Sequence, residues 1–250
     1  MKVSVALCTF NGEEYIADQF ASILAQSRPV DEVVVCDDGS TDRTLEIVRG
    51  GADGCRADTD IRIIRNPTTL GCTSNFAKAI GLARGDIIFL SDQDDVWLDS
   101  KVAAMLEVFD RDAQVGFVYC DAVVTDVSLR TIHESIMDKR RRQIADDDRP
   151  AGELIKRAGI NACTLAFRAP LREYILPMPA GCPHGHWIAG VLHAITKPAY
   201  LHRPLMYYRR HDKTCSTSMK IGPVQRAMAK LNRHISGELE TRLARHHEVR

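Results

Sequence analysis

Short apolar runs of strand length, each followed by a stretch with helical spacing, dominate the first half of this chain. Val3–Leu7, Val33–Cys36, Ile61–Ile64 and Ile87–Leu90 are nearly free of polar residues. A strand with one wet face alternates apolar with polar residues, so such runs predict strands covered on both faces. Between them, Ile16, Phe20, Ile23 and Leu24 recur at helical spacing, predicting a helix from about Glu13 to Gln26 with Asn11 as its N-cap. Leu45, Ile47 and Val48 mark a second helix capped by Ser40 or Thr41. Phe76, Ile80 and Ala83 mark a third over Thr73–Ala83, closed by Gly85, and a fourth starts near Asp99. This alternation predicts an α/β fold with a mostly parallel central sheet flanked by helices.

In open sheets of this kind, ligands bind beyond the carboxyl ends of the strands. Cys8–Gly12, Asp37–Ser40 and Asp92–Asp95 all fall at that edge. The carboxylates of Asp92, Asp94 and Asp95 are hard oxygen ligands suited to Mg²⁺ or Mn²⁺, and the same run reads equally as a capped, solvated turn before the helix near Asp99. The run Asp37–Asp42 reads equally well as turn and cap chemistry.

The second half is less regular. Val115–Asp121, Cys163–Phe167 and Leu205–Tyr208 read as strands and His184–Ile195 as a helix. Lys139–Arg142, followed by Asp146–Asp148, reads as a solvated loop. Residues 219–250 carry seven Lys and Arg against three Glu, with Val224, Met228, Leu231 and Ile235 on one stripe. This basic, helix-prone tail reads equally as a solvated helix packing on its own domain or as one in peripheral contact with an anionic lipid surface or a partner.

Lys plus Arg and Asp plus Glu both number 33, so no global field draws the chain to nucleic acid, and no nucleic-acid partner is expected. The eight cysteines are scattered singly, several inside apolar runs, which predicts buried thiols and no disulfide framework. No secretory signal is visible, and no apolar run approaches the ~20 residues of a membrane span. The expected location is therefore cytoplasmic.

Four segments in order sharpen this picture: Val5–Asn11 (Val-Ala-Leu-Cys-Thr-Phe-Asn), Asp37–Asp42 (Asp-Asp-Gly-Ser-Thr-Asp), Gly71–Phe76 (Gly-Cys-Thr-Ser-Asn-Phe) and Phe89–Trp97 (Phe-Leu-Ser-Asp-Gln-Asp-Asp-Val-Trp). Together they resemble the family 2 glycosyltransferases, inverting enzymes with the GT-A nucleotide-diphospho-sugar transferase fold. Cys163–Phe167, the His184–Trp187 helix and Tyr208–His211 are similar to the bacterial rhamnosyltransferase-like subgroup. The resemblance spans roughly residues 1–217. It implies a glycosyltransferase domain over 1–218, with a nucleotide-sugar-binding half (1–121) and an acceptor-binding half (122–218), followed by the tail.

The resemblance implies that Thr9, Asn11, Asp37 and Asp38 surround the base and ribose, with Asn75 on a loop facing the nucleotide. It also implies that Asp94, Asp92 and His211 hold the cation, Mn²⁺ or Mg²⁺, with Asp95 in close support. The donor is then a UDP-, dTDP- or GDP-linked sugar. The acceptor is a glycan or lipid-linked molecule of surface polysaccharide biosynthesis, reached at the inner face of the cell membrane.

One position departs from the pattern. Relatives carry a carboxylate general base where this chain reads His184-Gly185-His186-Trp187, and glycine cannot accept a proton. Three readings stay open: His184 or His186 substitutes, the glycine is an introduced change, or the chain binds nucleotide sugar without turnover. Cys182, His184 and His186 also offer a weak zinc reading, and Trp187 an acceptor-sugar platform. A Rossmann oxidoreductase lacks its Gly-rich turn here, and a phospho-accepting receiver would need only about half this length.

Overall fold

The computed structural model describes residues 1–53, 58–137, 160–179, 182–212 and 241. The basic tail, the Lys139–Arg142 run and Asp146–Asp148 lie outside the described residues, apart from 241.

The elements in chain order are β1 (Val3–Thr9), α1 (Ile16–Leu24), β2 (Glu32–Asp37), α2 (Thr44–Asp53), β3 (Asp60–Arg65), α3 (Cys72–Leu82), β4 (Ile87–Ser91), β5 (Val96–Trp97), α4 (Lys101–Arg111), β6 (Val115–Thr125), β7 (Thr131–His133), β8 (Leu165–Arg168), α5 (Arg172–Ile175), α6 (His184–Ile195) and β9 (Lys197–Arg209). Short 3₁₀ turns at Ala162–Thr164 and Ala169–Leu171 flank β8.

One nine-stranded sheet runs β3-β2-β1-β4-β8-β6-β9-β5, with β7 added on β6. Strands β3, β2, β1 and β4 are mutually parallel. Beyond β4 the sheet is mixed: β8 is antiparallel to β4 and β6, while β9 is parallel to β6 and antiparallel to β5. Two reversals leave β6 and β9 pointing the same way as β1–β4. The carboxyl ends at Thr9, Asp37, Ser91, Thr125 and Arg209 therefore share one edge. The boundary expected at 121/122 falls inside β6, so the two halves share a single sheet.

Every residue of β1, β2 and β4 is buried, which is why their sequences carry no alternation. Successive side chains still divide between the faces. Val5, Leu7, Val33 and Val35 pack with Phe20 of α1, Val48 of α2 and Met105 of α4. Ala6, Cys8, Val34 and Cys36 pack with Phe76 and Ile80 of α3 and Trp187 and Ile188 of α6.

The capping expectations need correction. Asn11 caps nothing: α1 begins at Ile16, and Asn11 sits in a left-handed turn with φ 46°. The N–H of Thr44 is accepted by Asp42 Oδ1 at 3.0 Å, so Asp42 does the work expected of Ser40 or Thr41. No helix among the described residues is long and apolar enough to cross a membrane. Cys8, Cys36, Cys120, Cys163 and Cys182 are buried free thiols, whereas Cys72 is exposed.

Candidate functional site

The carboxyl edge gathers three loops. The turn after β1 is held almost entirely by side chains from the other two. Asn11 N–H donates to Ser40 Oγ (2.9 Å), Gly12 N–H to Thr44 Oγ1 (2.8 Å), and Asn11 Oδ1 accepts from Thr41 N–H (2.9 Å). Phe10 N–H donates to Gln93 Oε1 (2.8 Å), and Gln93 Nε2 donates back to Phe10 O (3.0 Å). The Phe10 ring is left 47% exposed at the rim.

Asp37 and Asp38, both buried, organise the second loop. Asp37 accepts from Thr9 Oγ1 (3.0 Å), Ser40 Oγ (2.5 Å) and the N–H groups of Gly39 and Ser40. Asp38 accepts from Asn66 Nδ2 (2.9 Å), Leu70 N–H (2.7 Å) and Gly71 N–H (2.8 Å), tying down the approach to α3. Asn75 is buried and engaged with Cys36 O and Asn66. An open cleft of about 460 Å³ lies beside these residues, lined by Gly39, Arg65, Asn66, Pro67, Thr68 and Thr69. Thr9, Asp37, Asp38 and Asn75 thus come together, each spending its polar atoms on the loops themselves.

The acidic loop lies between β4 and β5. Asp94 Oδ2 stands 2.8 Å from His211 Nε2, just past the end of β9. The shared strand direction delivers both to one edge. The Tyr15 ring packs on His211 at 4.6 Å between centroids, and the Arg209 guanidinium lies over Tyr15 at 4.9 Å. One ligand-capable atom from each of Asp92, Asp95 and Cys163 falls within 4.8 Å of the others.

Electrostatics set this inner group apart. Burial, and then the neighbouring Asp94 charge, pushes Asp92 up to about 7. The same causes raise Asp95 well above the carboxylate range. Beneath them lies Lys101, fully buried, its Nζ donating to Cys163 O (2.7 Å) and sitting 4.1 Å from the Trp97 ring centroid. Sequence reasoning missed Lys101, because a lysine at a helix start reads as a surface residue.

A divalent cation fits this donor set. Asp95 Oδ2 is buried without a hydrogen bond, and it lies in a group with Asp92 that a cation's charge would relieve. Hard oxygen donors plus one imidazole suit Mn²⁺ or Mg²⁺.

The start of α6 corrects three expectations. Trp187 is fully buried and its Nε1 donates to Ile175 O (2.7 Å), so it offers no face to a sugar. His184 stacks on Phe76 at 4.1 Å, its Nδ1 lies 3.6 Å from Cys72 Sγ, and its buried Nε2 has no partner. Burial, aided by His186, lowers it to about 4, away from the neutral range expected of a substitute base. Cys182, His184 and His186 do not form a metal-competent group among the described residues. Gly185 packs closely: a Cβ there would lie 3.3 Å from Ala162 N and 3.4 Å from Ala162 Cβ.

The family model described as Glycosyl transferase family 2 matches residues 4–175. An uncharacterized glycosyltransferase of Nostoc sp. is 26% identical over 220 residues, covering 84% of this chain and 65% of the relative. Among solved structures, S. aureus TarS 1–349 in complex with UDP-GlcNAc superposes with a TM-score of 0.66 at 20% identity, over 89% of this chain and 62% of that one. The mannosyltransferase PcManGT from Pyrobaculum calidifontis, in complex with GDP-Man and Mn²⁺, gives 0.64 at 19% identity, over 97% of this chain and 74% of that one. The chain thus spans less than two thirds of the Nostoc and S. aureus proteins.

Proposed function

The chain belongs to glycosyl transferase family 2, and from that premise we propose that it transfers a sugar from a nucleotide-diphosphate donor to a glycan or lipid-linked acceptor. The observation that carries this reading is the convergence of Asp94 and His211 at 2.8 Å, on the edge where the Asp38 loop and the Phe10 turn also end. The structural neighbours' complexes with UDP-GlcNAc and with GDP-Man and Mn²⁺ support a nucleotide-sugar donor and a divalent cation.

In this reading Asp94, His211 and Asp92 would hold Mn²⁺ or Mg²⁺, with Asp95 and Lys101 close beneath. The ion supplies positive charge against the diphosphate leaving group. Thr9, Asn11, Asp37, Asp38 and Asn75 shape the loops around the base and ribose, and Phe10 gives the base an aromatic face. The displacement is a single inverting step, the subgroup rhamnosyltransferase-like, and the product a surface polysaccharide. The inner face of the cell membrane is where such an acceptor would be met.

A second reading is favoured by Gly185 and by the low basicity of His184: the chain binds nucleotide sugar without turnover. A thermal-shift panel of UDP-, dTDP- and GDP-sugars with and without Mn²⁺ tests the common ground, since a ligand of the folded state raises the midpoint. No shift with any donor would overturn both readings. Binding with neither transfer nor hydrolysis would favour the second.

A further inference from the structure

The turn Phe10–Gly12 is pinned by its backbone while its largest side chain stays in solvent. Gln93, the residue between Asp92 and Asp94, pairs its carboxamide with both polar backbone atoms of Phe10, at 2.8 and 3.0 Å. Such a two-point amide pair fixes position and orientation together, which one hydrogen bond does not. Gly12 makes room for it. A Cβ on Gly12 would lie 2.5 Å from Gln93 Cδ, so any other residue there would expel the carboxamide. Gly12 has no need of a left-handed backbone, and close approach is the reason for the glycine. The cation loop and the aromatic rim are thus joined by a rigid strut with a dedicated cradle.

We propose that Gln93 is a positioning residue that, seated against Gly12, sets the Phe10 ring at a fixed distance from the cation loop, so that a nucleoside diphosphate meets both at once. This rests on the nucleotide-sugar reading above. Gln93 acts through Phe10 and touches neither the cation nor the reacting atoms. Holding the aromatic face in place before the ligand arrives lowers the ordering cost of binding.

The test is calorimetric titration of the full chain with Mn²⁺ alone, and with UDP, dTDP and GDP in the presence of Mn²⁺. Gln93→Met and Gly12→Ala should each weaken the best nucleotide at least tenfold while leaving the affinity for Mn²⁺ alone within twofold. On a Phe10→Ala background, Gln93→Met should cost less than a further twofold, because a residue acting through Phe10 has nothing left to position. Gln93→Met adds no bulk, so it carries the test if Gly12→Ala fails to fold. Fully additive losses, or losses of Mn²⁺ and nucleotide affinity in step, would overturn the positioning role. So would unaltered nucleotide binding by Gln93→Met. If the unsubstituted protein binds none of the three nucleotides, the nucleotide-sugar reading falls, and this inference with it.

Discussion

Asp94 and His211 are 117 positions apart in the chain, yet Oδ2 and Nε2 stand 2.8 Å from each other. A carboxylate and an imidazole at that separation can face one cation together. The contact follows from topology, because β4 and β9 end on the same edge despite the antiparallel strand between β4 and β6.

Removing either partner should therefore show in cation binding before it shows in the fold. Asp94→Ala and His211→Ala should each lower Mn²⁺ affinity at least tenfold by calorimetry, with far-UV circular dichroism unchanged. The half-buried Asp94 is otherwise the kind of loop residue whose replacement costs only ~0.5 kcal/mol. Full Mn²⁺ affinity in both variants would remove the pair from the cation site.

Lys101 sits under Asp92 and Asp95 with no exposure. Lys101→Met removes the ammonium beneath Asp92 and Asp95 and leaves the buried Cys163 carbonyl without its donor, a change that typically costs about 1–3 kcal/mol. Urea unfolding at neutral pH should show a loss of that order. Mn²⁺ should raise the midpoint of the variant more than that of the parent, since the ion replaces part of the missing charge. A variant as stable as the parent would mean that Lys101 balances nothing.

At position 185, structure and mechanism can be tested separately. Gly185→Ala meets Ala162 at 3.3–3.4 Å. Overpacking costs about 1 kcal/mol or more, while better helix propensity returns about 1 kcal/mol, so the unfolding midpoint should barely move. Gly185→Asp should be similar in stability and should raise turnover 10²–10⁴-fold if the position serves the acceptor hydroxyl. Equal turnover of parent and Gly185→Asp, with donor and acceptor verified, would sink the missing-base reading.

His184 predicts a pH dependence of known sign. Burial, then His186, lowers its imidazole to about 4, against 6.5 for the ordinary group. Between those values the unfolded chain carries a proton that the folded chain refuses, so stability falls as pH drops from 6.5 toward 4 and levels off below. His184→Gln should flatten this part of the profile, measured by urea unfolding at half-unit steps. Superimposable profiles for parent and variant would show that the ring titrates normally.

Much of the first half was legible from local pattern. Continuous apolar runs such as Val33–Cys36, short, β-branched and stopped by a turn, read as strands buried on both faces, and β2 is buried throughout. The polar clusters at strand ends had to fall on one edge, because parallel strands end together. The helix read over His184–Ile195 was legible as well, and α6 covers those residues.

Other features depended on packing between segments far apart in sequence. Trp187 reads as a platform in isolation and becomes core once α6 meets Ile175. Asn11 reads as a cap, yet the Ser40–Thr44 loop draws it into a left-handed turn. Lys101 looks like a surface residue until β9 and the Cys163 turn close over it. Local sequence determined strands β1–β4 and the helices between them, because backbone propensity and burial pattern act over a few residues. Only the tertiary structure decided which polar atoms face one another, because a buried hydrogen bond or charge pair is settled by whichever distant group arrives to satisfy it.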